Sequence, residues 1–206
     1  MLEAVNITKA YNNEIVVSNF NVKIAKGDFI SITGESGKGK TTILNMLGFL
    51  EKPDSGEVIV EGVMNLNRKD VMMLQREKFG YLFQNYALIE NETVEANLKI
   101  ALEYRKDADK KSLIKEALHF VNLNPSVLNK KIYQLSGGEQ QRVAIARLYL
   151  KESDYIFADE PTGNLDIKNR DMVFELLKKL NESGKAVVYV THDLELAHQA
   201  KRHIIL

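Results

Sequence analysis

Residues 29–41 read FISITGESGKGKT, and this stretch decides the fold. Its first part, Phe29 to Thr33, is a short apolar and β-branched run typical of a buried strand, and the residues from Thr41 to Leu50 suit a helix. Between the two, residues 34–41 fit the phosphate-binding pattern G-x-x-x-x-G-K-[ST] without a gap. The stretch therefore predicts a strand, a glycine-rich loop and a helix that starts at a bound phosphate.

The chemistry of such a loop assigns a task to each of its residue types. Glycines let successive backbone N–H groups turn towards the phosphates, and the helix start adds the positive end of its dipole. Lys40 is placed to reach the β- and γ-phosphate oxygens, and Thr41 to ligate Mg²⁺. A glycine-rich turn with an incidental lysine is the alternative interpretation, which the flanking strand and helix disfavour.

The segments before and after this loop predict more strands. Val5 and Ile7, followed after Asn12-Asn13 by Val16 and Val17, indicate an antiparallel hairpin. Two further strands are predicted at Glu57 to Val63 and at Phe79 to Phe83.

From about Glu92 to Leu150 the pattern becomes helical, with one interruption at Pro125. Two buried strands follow, Tyr155 to Ala158 and Ala186 to Val190, with an amphipathic helix from Asp171 to Leu180 between them. Continuous apolar strands separated by helices predict a parallel sheet that is covered on both faces. The helical middle is then an insertion into that sheet.

An acidic pair follows one of the buried strands. Asp159 comes directly after Tyr155 to Ala158, which places its carboxylate at the edge of the sheet where α/β folds bind ligands. We expect Asp159 to support Mg²⁺ and Glu160 to polarise a water for attack on the γ-phosphate. The alternative is that both acids merely begin the turn at 161–163.

A second helix start with anion-binding chemistry lies at residues 135–142, which read LSGGEQQR. Ser136 and the two glycines after it open a predicted helix. Two phosphate-binding segments on one nucleotide would be redundant within a single chain. We therefore predict that Ser136 and Gly138 serve the nucleotide of a neighbouring copy, which implies a symmetric dimer.

The amino-acid composition excludes several classes of function. Lys plus Arg and Asp plus Glu each total 28 among 206 residues, so no net charge favours nucleic acid or an acidic membrane surface. The chain has no cysteine, which excludes disulfides, thiol catalysis and cysteine-ligated metals. Apolar runs such as Ala186 to Val190 fall far short of the roughly 18 to 20 residues that span a bilayer. We expect no nucleic-acid partner and no direct membrane insertion.

Four motifs together resemble the ATPase subunit of ABC transporters: the glycine loop, LSGGEQQR, the IFADEPTGNLD run at residues 156–166, and Thr191-His192-Asp193. Their order and spacing match over nearly the whole chain. The resemblance implies an α/β fold with a P-loop NTPase (RecA-like) core, an N-terminal antiparallel β subdomain and an inserted α-helical subdomain. As one domain, residues 1–84 and 151–206 would form the β subdomain and core, and about 85–150 the helical subdomain.

The resemblance also implies roles for individual residues. Two copies would stack head to tail around two ATP molecules. Glu160 would be the general base, His192 would contact the γ-phosphate, and Gln84 would link Mg²⁺ and water to a membrane partner. An aromatic ring at the position of Tyr11 stacks on adenine in similar proteins, an interaction worth about 1 to 3 kcal/mol. The alternative interpretations give these residues no role in the site: Tyr11 would be a surface residue, Gln84 would merely end a strand, and His192 would be a core histidine.

The complete set of predicted site residues falls into three groups. The catalytic residues are Glu160, His192, Gln84 and Lys40. The metal ligands are Thr41, Gln84 and Asp159. The nucleotide-binding residues are Tyr11, Gly34, Glu35, Ser36, Gly37, Lys38, Gly39, Lys40, Thr41, Thr42, Ser136, Gly137, Gly138, Glu139 and Asp166, the last within a loop of Asn164, Leu165 and Asp166 that would cross the dimer.

Within the family, the PTGNLD run and the short length most resemble ATPases that act with macrolide-export, lipoprotein-release and cell-division permeases; bacteriocin export systems are similar. This implies a homodimer with ATP on the cytoplasmic face of the membrane, bound to a separately encoded permease that exports a peptide, a lipoprotein or an antimicrobial compound. Tyr86, Leu88 and Ile89 would supply the docking patch, with burial of Leu88 in the chain's own core as the alternative.

Other functions for the same ATPase remain as alternatives. A cell-division type of complex would signal across the membrane and transport nothing. A chromosome-maintenance ATPase would need sustained heptads between Lys40 and Leu135, which this chain lacks. A translation-associated relative would carry two ATPase units in one chain.

Two departures from the family pattern stand out. Lys38 replaces a small residue, so that its charge lies either close to the phosphates or in solvent. The sequence also stops at Leu206 without the hairpin that commonly follows, and we expect the last strand to be less well paired.

Overall fold

The computed structural model describes residues 1–105, 109–163 and 165–206. The strands of this part are β1 (Leu2–Tyr11), β2 (Glu14–Ile24), β3 (Phe29–Thr33), β4 (Ser55–Val60), β5 (Phe79–Leu82), β6 (Tyr155–Asp159), β7 (Ala186–Val190) and β8 (Arg202–Ile205). Its helices are α1 (Lys40–Leu47), α2 (Arg68–Glu77), α3 (Val94–Ala101), α4 (Lys110–Phe120), α5 (Gly137–Lys151), α6 (Ile167–Glu182) and α7 (Leu194–Ala197), with single 3₁₀ turns at Pro125–Val127 and Ile132–Gln134.

A small antiparallel sheet of order β2-β1-β4 contains the N-terminal hairpin. Its turn residues, Asn12 and Asn13, have φ of 49° and 68°, a conformation that asparagine tolerates better than most residues. The hairpin predicted from the Asn-Asn turn is therefore confirmed. On its other side, strand β1 pairs with β4 along Leu2 to Thr8.

The larger sheet is parallel and has the order β5-β6-β7-β3-β8. Successive residues of its strands point to opposite faces: Ile156 and Ala158 pack into one core cluster, and Tyr155 and Phe157 into the other. Because both faces are covered, β7 is apolar throughout and β6 is apolar as far as Ala158, as the continuous runs predict, whereas the edge strand β8 carries Arg202 and His203. The predicted α/β fold class is confirmed.

The two core clusters occupy the two faces of this sheet. One is formed with α3, α4, α5 and α6, and the other with the antiparallel sheet and α1. Burying each large apolar side chain stabilises the fold by about 1.5 to 3 kcal/mol relative to exposure. The parallel sheet is thus held between a helical layer and a second sheet.

The structure divides the helical middle more finely than the sequence pattern predicts. Three α-helices and the two 3₁₀ turns replace the expected run with a single break at Pro125. Helix α2, Arg68–Glu77, was not predicted, because its apolar side is short: Val71 and Leu74 are only partly buried, and Met72 and Met73 are exposed. The signal that could have found it is the capping box between Asn67 and Asp70.

Several element ends also shift. The helix after the glycine loop ends at Leu47 rather than Leu50, because Phe49 has φ of 57°, a left-handed conformation that ends the helix. The strand predicted to reach Val63 ends at Val60, and helix α6 extends the predicted Asp171 to Leu180 at both ends.

Strand β8 pairs in parallel with β3, from Ile30 opposite Arg202 to Thr33 opposite Ile205. It lies at the edge of the sheet, with a partner strand on one side. In none of the described ranges is a helix both long enough and apolar enough to cross a membrane.

Candidate functional site

An open cavity of about 500 Å³ lies where the parallel strands end. Its walls come from the glycine loop after β3, the segment after β5, the turn after β6 and the end of β7, with one residue from β2. The carboxyl edge of a parallel sheet is where α/β folds bind ligands. The lining residues are Val16, Ser36, Gly37, Gly39, Lys40, Thr41, Thr42, Gln84, Glu160, Gly163, Val190 and His192.

The glycine loop is pressed against the antiparallel sheet. Gly39 has φ of 79°, and a Cβ there would lie 2.7 Å from Val17 Cγ2 and 2.8 Å from the Val16 carbonyl oxygen. Glycine meets both the positive φ and the lack of space. The shape of the loop is thus set partly by β2, a contact that the loop motif itself does not contain.

The Lys40 side chain lies along the loop that it belongs to. Its ammonium donates hydrogen bonds to the carbonyl oxygens of Gly34 at 2.9 Å and Glu35 at 2.8 Å. The ammonium of Lys38 lies 4.0 Å from the Glu35 carboxylate, and more than half of the Lys38 side chain is exposed. The Lys38 ammonium is thus exposed beside Glu35.

Thr41 and Asp159 form a pair of hard oxygen donors. The Thr41 hydroxyl lies 3.1 Å from one Asp159 oxygen and 3.0 Å from the other. Burial raises the pKa of Asp159, while the Thr41 hydrogen bond and the Lys40 charge oppose the shift. Oxygen ligands of this type are those that Mg²⁺ prefers, so the residues present fit the ion.

Glu160 and His192 meet at the other side of the cavity. The His192 Nδ1 and Glu160 Oε2 atoms lie 2.9 Å apart. Glu160 has φ of 44°, and its N–H donates to the Val190 carbonyl at the end of β7. A left-handed non-glycine residue costs of order 1 to 3 kcal/mol and is typical of functional sites.

Gln84 lines the cavity two residues after β5, and the loop beyond it is held from α5. Tyr86 and Ala87 have φ of 64° and 46°. The Arg147 guanidinium donates to both of their carbonyl oxygens, at 3.0 and 2.6 Å. Burial lowers the pKa of Arg147. No motif suggested this contact, since 60 residues separate its partners.

The residues of the predicted docking patch differ in exposure. Leu88 is half-buried and packs against the helical core cluster, whereas Ile89 is exposed. The backbone of Ile89 is fixed by the buried Asn97 side chain, which accepts from its N–H and donates to its carbonyl. The alternative considered for Leu88, packing in its own core, describes its contacts in this structure.

Tyr11 is the last residue of β1. Its hydroxyl donates to the Glu51 carboxylate at 2.5 Å. Burial raises the pKa of Tyr11, the Glu51 hydrogen bond acts in the same direction, and the nearby Thr42 hydroxyl opposes them. The Tyr11 hydroxyl thus lies close to Thr42, which lines the cavity.

The LSGGEQQR segment forms the N-terminus of α5. The Ser136 hydroxyl accepts from the Glu139 N–H, and the Glu139 carboxylate accepts from the Ser136 N–H at 2.9 Å, a reciprocal cap. The Ser136 N–H, and then the Ser136 hydroxyl, which also lies 3.0 Å from Glu139 Oε2, lower the pKa of Glu139. Among the described residues that line the cavity, none comes from 136–139. The structure therefore does not bring the two phosphate-binding segments together in one chain.

The start of α5 packs against the start of α6. A Cβ at Gly138 would lie 2.6 Å from Asn169, which bonds to the capping residue Asp166 and to Arg142. Gly137 faces the Tyr86 hydroxyl, 3.6 Å from an added Cβ. Leu165 and Asp166 of the predicted dimer-crossing loop lie beside this contact, and Asn164 lies outside the described residues.

Comparison with known proteins places this geometry in a family. A family model described as ABC transporter matches residues 17–163. An uncharacterized ABC transporter ATP-binding protein of Methanocaldococcus jannaschii, MJ0796, is 41% identical over 100% of this chain and 93% of its own length. The lipoprotein-releasing system ATP-binding protein LolD of Aquifex aeolicus is 39% identical over 98% and 92%. The macrolide export ATP-binding/permease protein MacB of Campylobacter jejuni is 41% identical over 97% of this chain and 32% of that longer protein.

Two solved structures of MJ0796 share the fold. A dimeric structure superposes with a TM-score of 0.90 at 40% identity, covering 100% of this chain and 94% of the other. A dimeric post-hydrolysis state bound to ADP and Pi has a TM-score of 0.90 at 39% identity, with the same coverage.

Proposed function

This chain belongs to the ABC transporter family as one of its ATP-binding ATPases, and from that premise we propose that it powers a membrane permease encoded as a separate chain. The observation that carries the proposal is the convergence of Lys40, Thr41, Glu160 and His192 on one cavity. These side chains supply a cation for the phosphates, a metal ligand, a carboxylate base and an imidazole within reach of one phosphate.

In the proposed reaction Glu160 orients and deprotonates the water that attacks the γ-phosphate, and His192 holds the Glu160 carboxylate while contacting the same phosphate. Lys40 exchanges its loop carbonyl partners for phosphate oxygens. Thr41 and Asp159, with Gln84, would hold Mg²⁺, which neutralises phosphate charge when bound. Preorganised charge of this kind is commonly the largest single contribution to catalysis.

Two copies would close each site together. Residues 34–42 of one copy and 136–140 of the other would hold one ATP, with Asp166 crossing between them. The separation of the α5 N-terminus from the cavity supports this arrangement, because that helix start does not line the nucleotide cavity of its own chain. The dimeric form of MJ0796 supports it as well.

The partner and cargo are proposed from the named relatives. MacB and LolD are named for macrolide export and lipoprotein release. We extend to this chain a role in exporting a peptide, a lipoprotein or an antimicrobial compound. The chain would then lie on the cytoplasmic face of the membrane, with the exposed Ile89 facing the permease.

We also propose the domain division expected from the family. Residues 1–84 and 151–206 would carry the β subdomain and core, with about 85–150 as the helical subdomain within one ATPase domain. The packing of α3 and α4 on α5 and on each other supports it.

Light scattering on Glu160→Gln with ATP, in the absence of Mg²⁺ and with sodium as the counterion, tests the composite site. Glutamine keeps the size of the side chain and loses the base, so ATP should bind and trap the dimer. In a separate ATPase assay with Mg²⁺, the turnover of Glu160→Gln should fall on the order of 10²- to 10³-fold, as for loss of one preorganised catalytic group.

The control is Lys40→Ala combined with Glu160→Gln, which should stay monomeric because it lacks the lysine that binds the phosphates. A mass that remains monomeric at saturating ATP contradicts the shared site. Turnover of Glu160→Gln near the wild-type rate contradicts its role as base.

A further inference from the structure

Tyr11 is anchored at its hydroxyl by a residue from another part of the chain. It donates to Glu51 Oε1 at 2.5 Å, although 40 residues separate the two. Glu51 follows α1, the helix that begins at the phosphate loop. The anchor therefore ties the end of β1 to the far end of that helix.

Glu51 is itself held by Lys9, whose ammonium lies 3.5 Å from the Glu51 carboxylate and 2.9 Å from Asp54. Lys9 also donates to the Lys52 carbonyl at 3.0 Å, and Asp54 accepts from the Ala10 N–H at 2.9 Å. The Asp54 hydrogen bond raises the pKa of Lys9. The Ala10 N–H, followed by Lys9, lowers the pKa of Asp54. The network thus favours the charged forms of Lys9 and Asp54 beside the hydrogen bond between Tyr11 and Glu51.

The same ammonium lies 5.6 Å from the centre of the Tyr11 ring, within the range of a cation–π contact. One side of the ring is thereby occupied, while 42% of the residue remains exposed. A base that approaches the cavity has the other face of the ring available for stacking. Fixing a side chain in its binding orientation before the ligand arrives lowers the entropic cost of binding.

We propose that Glu51 is a positioning residue for the nucleobase: by accepting the Tyr11 hydroxyl, it holds the aromatic ring in the orientation that stacks on adenine. The inference rests on the proposed ATP site and concerns its base end alone. Glu51 does not touch the nucleotide; it acts through Tyr11. The triphosphate end of the site should not depend on it.

Titration calorimetry in EDTA, where hydrolysis does not intervene, compares ATP with inorganic tripolyphosphate, which lacks a base. Glu51→Ala and Tyr11→Phe should each weaken ATP binding about three- to tenfold, the range for loss of one side-chain hydrogen bond. Tripolyphosphate binding should stay at the wild-type value. The double variant should bind ATP no more weakly than either single variant, because both remove the same contact.

Glu51→Gln should retain most of the ATP affinity, since its amide oxygen still accepts the hydroxyl. Glu3→Ala is the matched control: the Glu3 carboxylate is 19% exposed against 23% for Glu51, and it pairs with Lys23 at 3.0 Å elsewhere on β1. It should leave the affinity for both ligands unchanged.

Tyr11→Ala separates the two levels of the argument. If it weakens ATP binding while Tyr11→Phe and Glu51→Ala do not, the anchor is overturned and the stacking role stands. If Tyr11→Ala has no effect on ATP binding, stacking itself is overturned. Equal weakening of tripolyphosphate by Glu51→Ala would mean a general loss of structure and would also overturn the anchor.

Discussion

At the scale of single residues, Gly39 shows that the phosphate loop is fitted to the sheet beneath it. The loop motif explains its glycines by the approach of phosphate, yet the nearest atoms to Gly39 belong to Val16 and Val17 of β2. Gly37, in the same loop and with a similar φ of 83°, has open space around it. Glycine is thus required at these two positions of one motif for different physical reasons: at Gly39 by the contact with β2 as well as the positive φ, and at Gly37 by the positive φ alone.

We predict that Gly39→Ala destabilises the fold by about 2 to 4 kcal/mol, because it adds overpacking to an unfavourable φ, and that Gly37→Ala costs only about 1 kcal/mol for the φ. Urea unfolding of both variants without nucleotide measures the difference. Equal losses would show that the contact with β2 relaxes without cost.

At the scale of elements, α5 begins with a cap that depends on ionised Glu139. Its pKa in the fold lies below the ordinary value of 4.5, so folding favours the charged form. The added stability is present above the pKa of the unfolded chain and is lost as the pH falls through the depressed value.

Glu139→Gln keeps an acceptor for the Ser136 N–H and removes the charge. We predict that its melting temperature at pH 7 is lower than wild type by about 1 to 3 °C, as for a loss of under 1 kcal/mol in a domain of this size. The gap should close on acidification below pH 4. Melting curves from pH 7 to pH 3 measure it, and a constant gap would contradict the linkage.

The same helix carries two half-buried cations one turn apart. Arg147 donates to the loop after Gln84, whereas Lys151 donates to the Gln75 carbonyl at 2.7 Å. Burial lowers the pKa of Lys151, and Arg147 adds to that shift. Because Arg147 contacts the loop after Gln84 and Lys151 contacts Gln75, variants at these two positions can be compared as a matched pair.

We predict that Arg147→Met lowers kcat about two- to thirtyfold, equivalent to 0.5 to 2 kcal/mol of coupling, by releasing the loop that carries Gln84. Lys151→Met should leave kcat near the wild-type value at a similar change in melting temperature. Steady-state ATPase assays compare them. Parallel losses of kcat would reduce the role of Arg147 to general stability.

At the scale of the whole molecule, ATP should stabilise the fold through Lys40. At a concentration of 100 Kd a ligand adds about 2.7 kcal/mol, or roughly 5 to 11 °C in melting temperature for this size. We predict this shift with ATP in EDTA, its loss in Lys40→Ala, and its retention in large part by Lys38→Ala, whose charge lies in solvent. Loss of the shift in Lys38→Ala would place that charge at the phosphates.

Sequence patterns predicted the parts of this molecule in which local chemistry decides structure. The strands Phe29 to Thr33 and Ala186 to Val190 were predicted with their observed bounds, because continuous apolar, β-branched runs suit a sheet covered on both faces. Helix α2 was missed because its apolar side is short, with only Val71 and Leu74 partly buried. Its capping box was a weaker signal than the stripes used for the other helices.

The same division holds for the site. Lys40, Thr41, Asp159, Glu160 and His192 follow strand ends, so the sheet brings them together once its order is known. Contacts such as Glu51 with Tyr11, Arg147 with Ala87, and Val16 with Gly39 join distant segments, and no local pattern encodes them. They depend on packing, which only the folded chain displays.

The position of β3 within the parallel sheet has a consequence for biosynthesis. Its neighbours are β7 and β8, the last strands of this sequence to leave the ribosome, although β3 and the phosphate loop are made early. At about 5 to 20 residues per second, roughly 8 to 30 s separate Thr33 from Ala186. During that interval the nascent segment has no lateral partner in its own sheet. Until translation reaches β7, the contacts of the phosphate loop that have already been synthesised are those with the hairpin, such as Gly39 against Val16 and Val17.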